Sequence, residues 1–292
     1  MPFSRTPPLV EPGWLLDRLN DPHIVILDCR WQLANPSYGR QAYQRDHIPG
    51  ARYVDIGQDL SAPPGRYGGR HPLPTPEQFQ RVMESLGVDD SSYVVVYDEE
   101  ATAAARCWWL LQYFGHGEVS LLNGGYPAWR RLGYPVTDAA PTVQPSHFTP
   151  RPDPRMVADY QTVRHLSQYF PVLDARAPER YHGHHEPMDA KAGHIPGAQN
   201  APYTEVLNPD GTFRSPDDLR RIFPLAASKE PIVYCGSGVS ACVNIVALRL
   251  IGADPLLYPG SWSDWIQHED APIAASPGSP TPASGEPGQN RP

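Results

Sequence analysis

The chain has 292 residues, about two typical domains at roughly 150 residues each, and 40% of them are hydrophobic, which suffices for ordinary cores. No stretch approaches the roughly 18 uninterrupted apolar residues of a membrane span, so no membrane association is expected. The net charge of -8 argues against a nucleic-acid partner, because the chain lacks spare cations to neutralise a phosphate backbone. The N-terminus carries no charged segment followed by an apolar run, so no secretory signal is visible and we expect a cytoplasmic protein.

Short apolar runs alternate along the chain with longer helical patterns. In chain order, the runs typical of buried strands in a parallel sheet are IVILD, YVVVYD, VSLL, PVLDA, PIVYC and PLLY. Two of the helical patterns end at Gly115 and Gly252, and glycine is the residue favoured just beyond a helix C-terminus. This alternation of strands and helices predicts an α/β fold.

The chain also contains two copies of one pattern. LDCR at residues 27–30 matches LDAR at 173–176, and HIPGA at 47–51 is repeated at 194–198. VVVYD and NGGYPAW in the first half then match PIVYC and PGSWSDW in the second half, in the same order. Four matched blocks in one order predict two similar domains, each a mainly parallel sheet flanked by helices.

The repeat divides the chain into an N-terminal domain at residues 1–136 and a C-terminal domain at residues 155–274. The proline-rich linker at residues 137–154 should be extended and exposed. The first copy is longer between its HIPGA block and its next strand, and the extra residues fall within 62–74. Residues 275–292 lack large apolar side chains, which predicts a disordered tail.

The copies differ most clearly at the end of one strand, where Asp98 in the first copy corresponds to Cys235 in the second. Residues that both copies keep, such as the Asp and Arg of the LDCR and LDAR blocks, are interpreted as structural, because duplicated domains share what they need to fold. Chemistry is expected where the copies diverge, and Cys235 is therefore the first candidate for a functional residue.

A glycine-containing loop separates Cys235 from the helix that follows it. The residues of this loop are Gly236, Ser237, Gly238, Val239 and Ser240. Ligands bind at the carboxyl ends of parallel strands, and the two glycines allow the loop to turn its amides inward towards an anion. The positive end of the next helix dipole also favours a thiolate, so Cys235 is predicted to be a nucleophile.

The remaining cysteines, Cys29, Cys107 and Cys242, are predicted to be structural. The spacing of the four cysteines fits neither a disulfide framework nor a paired zinc site. Cys107 and Cys242 lie within apolar helical patterns, where free cysteine packs as a small hydrophobic residue.

These motifs resemble the tandem-domain rhodanese family, in which DAR, HIPGA and a strand-borne cysteine occur in a duplicated chain whose first copy is inactive. The resemblance extends from about residue 9 to residue 273, and Asp98 matches the acidic residue at the cysteine position of the family's first copy. It implies that Cys235 accepts a sulfane sulfur as a persulfide and passes it to a thiol or to cyanide. No metal or organic cofactor is implied.

The loop sequence CGSGVSA is similar to the CGSGVTA loop of 3-mercaptopyruvate sulfurtransferases, with Ser240 keeping the hydroxyl of the threonine. The basic CRKGVTA loop typical of thiosulfate sulfurtransferases differs from it. The resemblance therefore implies 3-mercaptopyruvate as donor and pyruvate as product. Arg180, in ERYHG, would bind the substrate carboxylate. Met188 stands where many of these enzymes have a second arginine, so another residue would have to compensate for it.

The family also resembles serine proteases in having a Ser-His-Asp set near the cysteine. Ser237 matches the serine, and His71, in RHPLP, matches the histidine. His71 lies in the extra segment of the first copy, which suggests that the first domain supplies it to the pocket of the second. Asp55 and Asp59 are both candidates for the acidic member, and the sequence does not choose between them.

Three other functions are weighed against this one. A thiosulfate sulfurtransferase would differ in its preferred donor, and a non-catalytic rhodanese-like binding module would lack turnover. A phosphatase of the Cys-x5-Arg type would require arginine where Ala241 stands, so that reading lacks its essential cation. The expected partners are a small-molecule sulfur donor and a thiol acceptor such as thioredoxin, and the sequence does not indicate an oligomeric state.

Overall fold

The structure is a computed structural model that describes residues 6–167, 169–224 and 230–275. Apart from residue 275, the tail for which disorder was predicted lies outside the described residues. Among the described residues, no helix combines the length and the apolar character needed to cross a bilayer.

The first half of the chain forms a five-stranded parallel sheet in the order β1-β5-β4-β2-β3. Its strands are β1 (Leu9–Val10), β2 (Ile24–Asp28), β3 (Arg52–Tyr53), β4 (Tyr93–Tyr97) and β5 (Val119–Leu122). The helices of this half are α1 (Pro12–Leu16), α2 (Tyr38–Arg45), α3 (Pro76–Ser85), α4 (Thr102–Tyr113) and α5 (Gly125–Arg131).

The second half repeats this arrangement in a four-stranded parallel sheet of order β7-β6-β8-β9. Its strands are β6 (Val172–Asp174), β7 (Gln199–Asn200), β8 (Ile232–Tyr234) and β9 (Leu256–Leu257). Its helices are α6 (Tyr160–Leu166), α7 (Pro178–Tyr181), α8 (Pro216–Ile222), α9 (Ala241–Leu250) and α10 (Ser261–Trp265). A parallel bridge between Val157 and Leu257 corresponds to the β1–β5 pairing of the first sheet. The predicted α/β class with two mainly parallel sheets is confirmed.

The Asp and Arg that both copies keep form buried ion pairs beside the HIPGA turns. Arg30 contacts Asp28 at 2.7 Å and Arg176 contacts Asp174 at 2.6 Å, and all four side chains are fully buried. Arg176 also donates to the carbonyl of Gly193, directly before the second HIPGA block, at 2.7 Å. These contacts confirm the structural interpretation of the shared residues.

Helices α4 and α9, which are equivalent in the two copies, pack against each other between the two sheets. Both are apolar around most of their circumference, as expected for helices buried on every side. They end before Gly115 and Gly252, whose φ angles of +88° and +83° suit glycine. Because buried residues of both halves join in one hydrophobic cluster, the loop before α9 lies against the N-terminal half.

The predicted linker has no helix or strand between residues 138 and 153, and most of it is exposed. Phe148 is the exception to the expected exposure. Its side chain is buried, with its ring 5.7 Å from that of Phe79. The linker therefore packs on the N-terminal core through Phe148, and hydrogen bonds such as that from the Arg151 amide to the Phe114 carbonyl at 2.7 Å also hold it to this domain.

Candidate active site

Cys235 directly follows β8, at the carboxyl end of a central strand, and α9 begins six residues later. The residue is only 2% exposed, yet it lines a cavity of about 430 Å³. Both halves of the chain contribute to the wall of this cavity. Its lining includes Trp31, Arg70 and Thr102 from the first half and Arg180, Ser237, Val239 and Ser240 from the second. The candidate nucleophile therefore lies at a cleft between the two domains.

The loop after Cys235 is held from outside through its carbonyl groups. The carbonyls of Cys235 and Gly236 accept hydrogen bonds from the amides of Trp262 and Ser263, both at 3.0 Å. The Gly238 carbonyl accepts a hydrogen bond from the Arg106 guanidinium at 3.1 Å. By contrast, no amide of residues 236–240 has an acceptor among the described residues. The loop thus presents unpaired backbone donors, the property of an anion-binding site.

The backbone of this loop requires glycine at residue 238. Gly238 has a φ of +76°, and a Cβ at this position would lie 2.4 Å from the carbonyl oxygen of Pro259. Such a contact forces the backbone to move, because neither partner is a flexible side chain.

Replacing Gly238 with alanine should therefore displace the loop and lower the sulfur transfer that the resemblance implies about 100-fold, the cost of misplacing reacting groups by about 1 Å. Gly252→Ala is the matched control, because Gly252 has a φ of +83° but open space around its Cβ position. It introduces the same left-handed strain, about 1–2 kcal/mol, without the collision. Steady-state kinetics and thermal unfolding of both variants make the comparison, and equal activities would show that the loop tolerates the added methyl group.

The first copy shows how the equivalent loop surrounds a carboxyl group. The Asp98 carboxylate accepts hydrogen bonds from the amides of Ala101 at 2.6 Å, Ala103 at 2.8 Å and Ala104 at 3.1 Å. Burial raises the pKa of Asp98 to about 7. Only about 30 Å³ of cavity remains beside it. In the first copy the chain's own carboxylate fills the amide loop, whereas in the second copy the equivalent loop faces an open cavity.

The structure brings His71 to Ser237, as the resemblance implied. His71 Nδ1 and Ser237 Oγ lie 2.9 Å apart. Two backbone amides of the segment that carries His71 bind to the second domain. The Gly68 amide donates to Asp264 at 2.7 Å, and the Arg70 amide donates to Ser263 Oγ at 3.1 Å. The extra residues of the first copy thus reach into the site of the second.

Neither Asp55 nor Asp59 contacts His71, so the acidic member expected from the resemblance is not formed by either of them. The Asp55 carboxylate accepts from the amides of Gly57 and Gln58, at 2.8 and 3.0 Å, and the Asp59 carboxylate accepts from the amide of Asp55 at 2.8 Å. Both carboxylates are engaged in their own turn, because short acidic side chains bond readily to nearby backbone amides. His71 instead has cationic neighbours.

Burial, Arg106 and Arg70 lower the pKa of His71 from 6.5 to about 4. Its imidazole should therefore stay neutral from pH 8 down to about pH 5. Because this pKa is lower in the folded than in the unfolded chain, the stability present above pH 6.5 is lost as the pH falls towards 4. NMR titration of the histidine side chains, with His71→Gln to assign the resonance, tests this prediction, and a His71 midpoint near 6.5 would contradict it.

Arg180 lies over the first residue of the loop. A Cβ on Gly236 would be 3.4 Å from both Nη1 and Nη2 of Arg180. Its guanidinium is held by Glu186 at 2.9 Å and by Asp189 at 3.0 Å. Met188 lines the cavity with an uncharged side chain that is 38% exposed. The geometry therefore places one of the two arginines discussed for the family beside Cys235, and an apolar side chain where the second would stand.

Two arginines of the first domain, Arg70 and Arg106, belong to the site but were not predicted from the sequence. Arg70 lines the cavity. It directly precedes His71 in the RHPLP motif, and this position in the sequence could have indicated it. Arg106 is fully buried and donates to the carbonyls of Gly238 and His71, both at 3.1 Å. Its position could have indicated a role, because it is a lone arginine inside the apolar stretch TAAARCWWLL and an arginine is almost never fully buried without partners.

The chain contains two copies of a parallel α/β domain. The second copy carries a cysteine in a loop lined by amides, and the first copy contributes side chains to the same cavity. These features define a tandem-domain thiol protein. The family described as Rhodanese-like domain matches residues 11–132 and 158–268. The chain belongs to the rhodanese family and carries two copies of its domain.

The chain is similar over most of its length to named sulfurtransferases. It is 43% identical over 270 residues to a probable 3-mercaptopyruvate sulfurtransferase of Pseudomonas aeruginosa, covering 89% of this chain and 95% of that protein. It is 39% identical over 257 residues to the putative thiosulfate sulfurtransferase SseB of Mycobacterium tuberculosis, covering 86% and 90%. The crystal structure of the 3-mercaptopyruvate sulfurtransferase SseA of Escherichia coli superposes with a TM-score of 0.77 at 34% identity, covering 88% of this chain and all of that one.

Proposed function

We propose that this chain is a sulfurtransferase that moves a sulfane sulfur from 3-mercaptopyruvate to a thiol acceptor through a persulfide on Cys235, and releases pyruvate. The observation that carries the proposal is the position of Cys235 at an open cavity, next to five consecutive backbone amides that have no acceptor among the described residues. Such a loop stabilises negative charge on a thiolate and on a persulfide.

In the first step the Cys235 thiolate attacks the sulfur of the donor. A sulfur–sulfur bond forms, and the carbon–sulfur bond breaks with its electron pair left on the organic fragment as the enolate of pyruvate. The proton of the new persulfide then passes to the enolate carbon, which gives pyruvate and the persulfide anion. In the second step an acceptor thiolate attacks the outer sulfur and restores the Cys235 thiolate.

Each remaining candidate residue has a role in this scheme. Arg180 binds the donor carboxylate, because its guanidinium lies over the loop at the cavity wall. The Ser237 hydroxyl, held by His71 at 2.9 Å, faces the negative charge that develops on the enolate oxygen. The amides of Gly236, Gly238, Val239 and Ser240 stabilise the sulfur anion. Since His71 stays neutral, it orients Ser237 without adding a cation.

The acceptor is proposed to be a thiol, either a small molecule or a protein of the thioredoxin type. The four cysteines of the chain are free thiols, which fits a reducing compartment such as the cytoplasm.

A comparison of donors tests the proposed function. The purified protein should turn over 3-mercaptopyruvate with a kcat/KM at least about tenfold above that for thiosulfate, because the loop after Cys235 carries no cation for a dianion. A higher kcat/KM for thiosulfate would assign the chain to the thiosulfate sulfurtransferases. Folded protein that releases no sulfur with either donor would identify a non-catalytic binding module.

A further inference from the structure

We propose that Arg70 is the second carboxylate-binding arginine of this site, supplied by the first domain, and that Asp189 holds it beside Arg180. This inference rests on the proposed function and deepens it, because it names the residues that recognise the single carboxylate of an α-keto acid. It also assigns to the first domain a direct part in substrate binding.

Arg70 and Arg180 reach the same point of the active loop from different domains. The position that a Cβ of Gly236 would take is 2.9 Å from Arg70 Nη2 and 3.4 Å from Arg180 Nη1 and Nη2. Gly236 is the neighbour of Cys235 in the chain. Two guanidinium groups therefore lie over the residue that follows the candidate nucleophile, in the wall of the same cavity.

One carboxylate fixes the spacing of the two arginines. Asp189 directs Oδ1 to Arg70 Nη1 and Oδ2 to Arg180 Nη2, the latter at 3.0 Å. The Asp189 side chain is 4% exposed, so its carboxylate is shielded from water, while the Arg70 side chain is 30% exposed towards the cavity. Asp189 directly follows Met188, the residue that stands in place of the family's second arginine. The carboxylate that binds Arg70 is therefore next to the position where that arginine is missing.

Arg70 keeps donors for a ligand. Its Nε is buried without a hydrogen-bond partner, and its Nη2 has no acceptor among the described residues. A guanidinium offers five donors, and only one nitrogen of Arg70 is engaged by Asp189. An incoming carboxylate can thus bond to Arg70 Nη2 without displacing Asp189 from Nη1.

The ion-pair network around Arg70 and Arg180 is balanced in charge, and the buried Arg106, bonded to the carbonyls of Gly238 and His71, lies outside it. The cations Arg70, Arg176 and Arg180 are joined in one network with the anions Asp174, Glu186 and Asp189. Cations and anions are equal in number, so the network recognises a carboxylate through directed hydrogen bonds rather than through a strong net field. This balance favours a monocarboxylate over thiosulfate.

The first test is a kinetic comparison of Arg70→Met and Arg70→Lys with the unaltered protein. Loss of hydrogen bonds to a charged group should raise the KM for 3-mercaptopyruvate about 10- to 100-fold in Arg70→Met while kcat changes less than about threefold. The KM of Arg70→Lys, which keeps the charge but not the paired N–H donors of the guanidinium, should lie between those of Arg70→Met and the unaltered protein. Arg66→Met is the matched control, because Arg66 is in the same segment, is 73% exposed, and contacts the exposed Glu269 and the Tyr67 ring. Thermal unfolding reports the fold of each variant.

An unchanged KM in Arg70→Met, or a loss confined to kcat, would overturn the assignment. This conclusion can be drawn only if the unaltered protein turns over 3-mercaptopyruvate. An unaltered protein without turnover would refute the proposed function instead. Asp189→Asn gives a second readout, since it removes one negative charge from the network. The ratio of kcat/KM for thiosulfate to that for 3-mercaptopyruvate should rise about tenfold, and a falling ratio would contradict the role of Asp189.

Discussion

Replacing Cys235 with serine should lower sulfur transfer from 3-mercaptopyruvate at least about 1000-fold while the fold is retained. A hydroxyl has nearly the shape of a thiol, so the buried side chain still fits between the loop and α9. An alcohol, however, does not ionise near neutral pH and cannot accept sulfur as a persulfide. The measurement is pyruvate release under saturating donor, together with thermal unfolding of the variant.

Cys29→Ala is the control for this substitution. Cys29 is as buried as Cys235, at 1% exposure, but it belongs to the first domain and its Sγ contacts the Leu27 carbonyl at 3.9 Å. The variant should keep nearly full turnover. If Cys235→Ser retained turnover, or if Cys29→Ala lost it while still folded, the nucleophile would have to be sought elsewhere.

Replacing Arg176 with methionine should lower the free energy of unfolding by about 3–5 kcal/mol, the second large effect expected. Arg176 binds Asp174 through Nε and Nη2 at 3.0 and 2.6 Å, and its guanidinium lies 4.7 Å from the centre of the Trp262 ring. Its loss leaves a fully buried carboxylate without a counter-charge. Urea unfolding, followed by tryptophan fluorescence, measures the change.

Arg155→Met is the control that separates the effect of burial from the loss of an Arg–Asp ion pair as such. Arg155 binds Asp153, two residues earlier, through the same two nitrogens at 2.8 and 2.6 Å, but its side chain is 71% exposed. Exposed pairs contribute little because water and salt screen them. Arg155→Met should therefore hardly change the unfolding curve, and equal destabilisation by the two substitutions would show that burial is not the cause of the effect.

Sequence periodicity was sufficient to find the longer elements of both domains. The apolar runs IVILD and YVVVYD became β2 and β4, and the stretches ending at Gly115 and Gly252 became α4 and α9. The strand β9 has only two residues, but the apolar run PLLY marks it, whereas β1, β3 and β7 are equally short and carry no recognisable period. They could be located only from the pairing of the folded sheet.

The candidate site could be predicted in part, for reasons that differ between residues. Cys235 was found because the two copies diverge there, and the loop after it is contiguous in sequence. His71 came from the family motif, and the structure places it beside Ser237. Arg70 and Arg106 could not be assigned, because each acts across the interface between domains, and the sequence alone does not say which surfaces meet.

The two copies together explain why one site is closed and the other open. Both copies keep the loop that follows the central strand, so its amides are available in each. In the first copy the Asp98 carboxylate bonds to three of those amides, and in the second Cys235 leaves them to a ligand. The Asp98 carboxyl group therefore fills the loop of the first copy, whereas the loop of the second copy, which also differs at its glycines, is left open beside Cys235.

The central claim is that Cys235 carries the transferred sulfur, and mass spectrometry tests it most directly. The protein is treated with 3-mercaptopyruvate in the absence of an acceptor, alkylated and digested. One additional sulfur atom should be found on the peptide that contains Cys235, and it should disappear when a thiol acceptor is added. Additional sulfur on Cys29, Cys107 or Cys242 instead, or continued turnover without any sulfur on Cys235, would contradict this account.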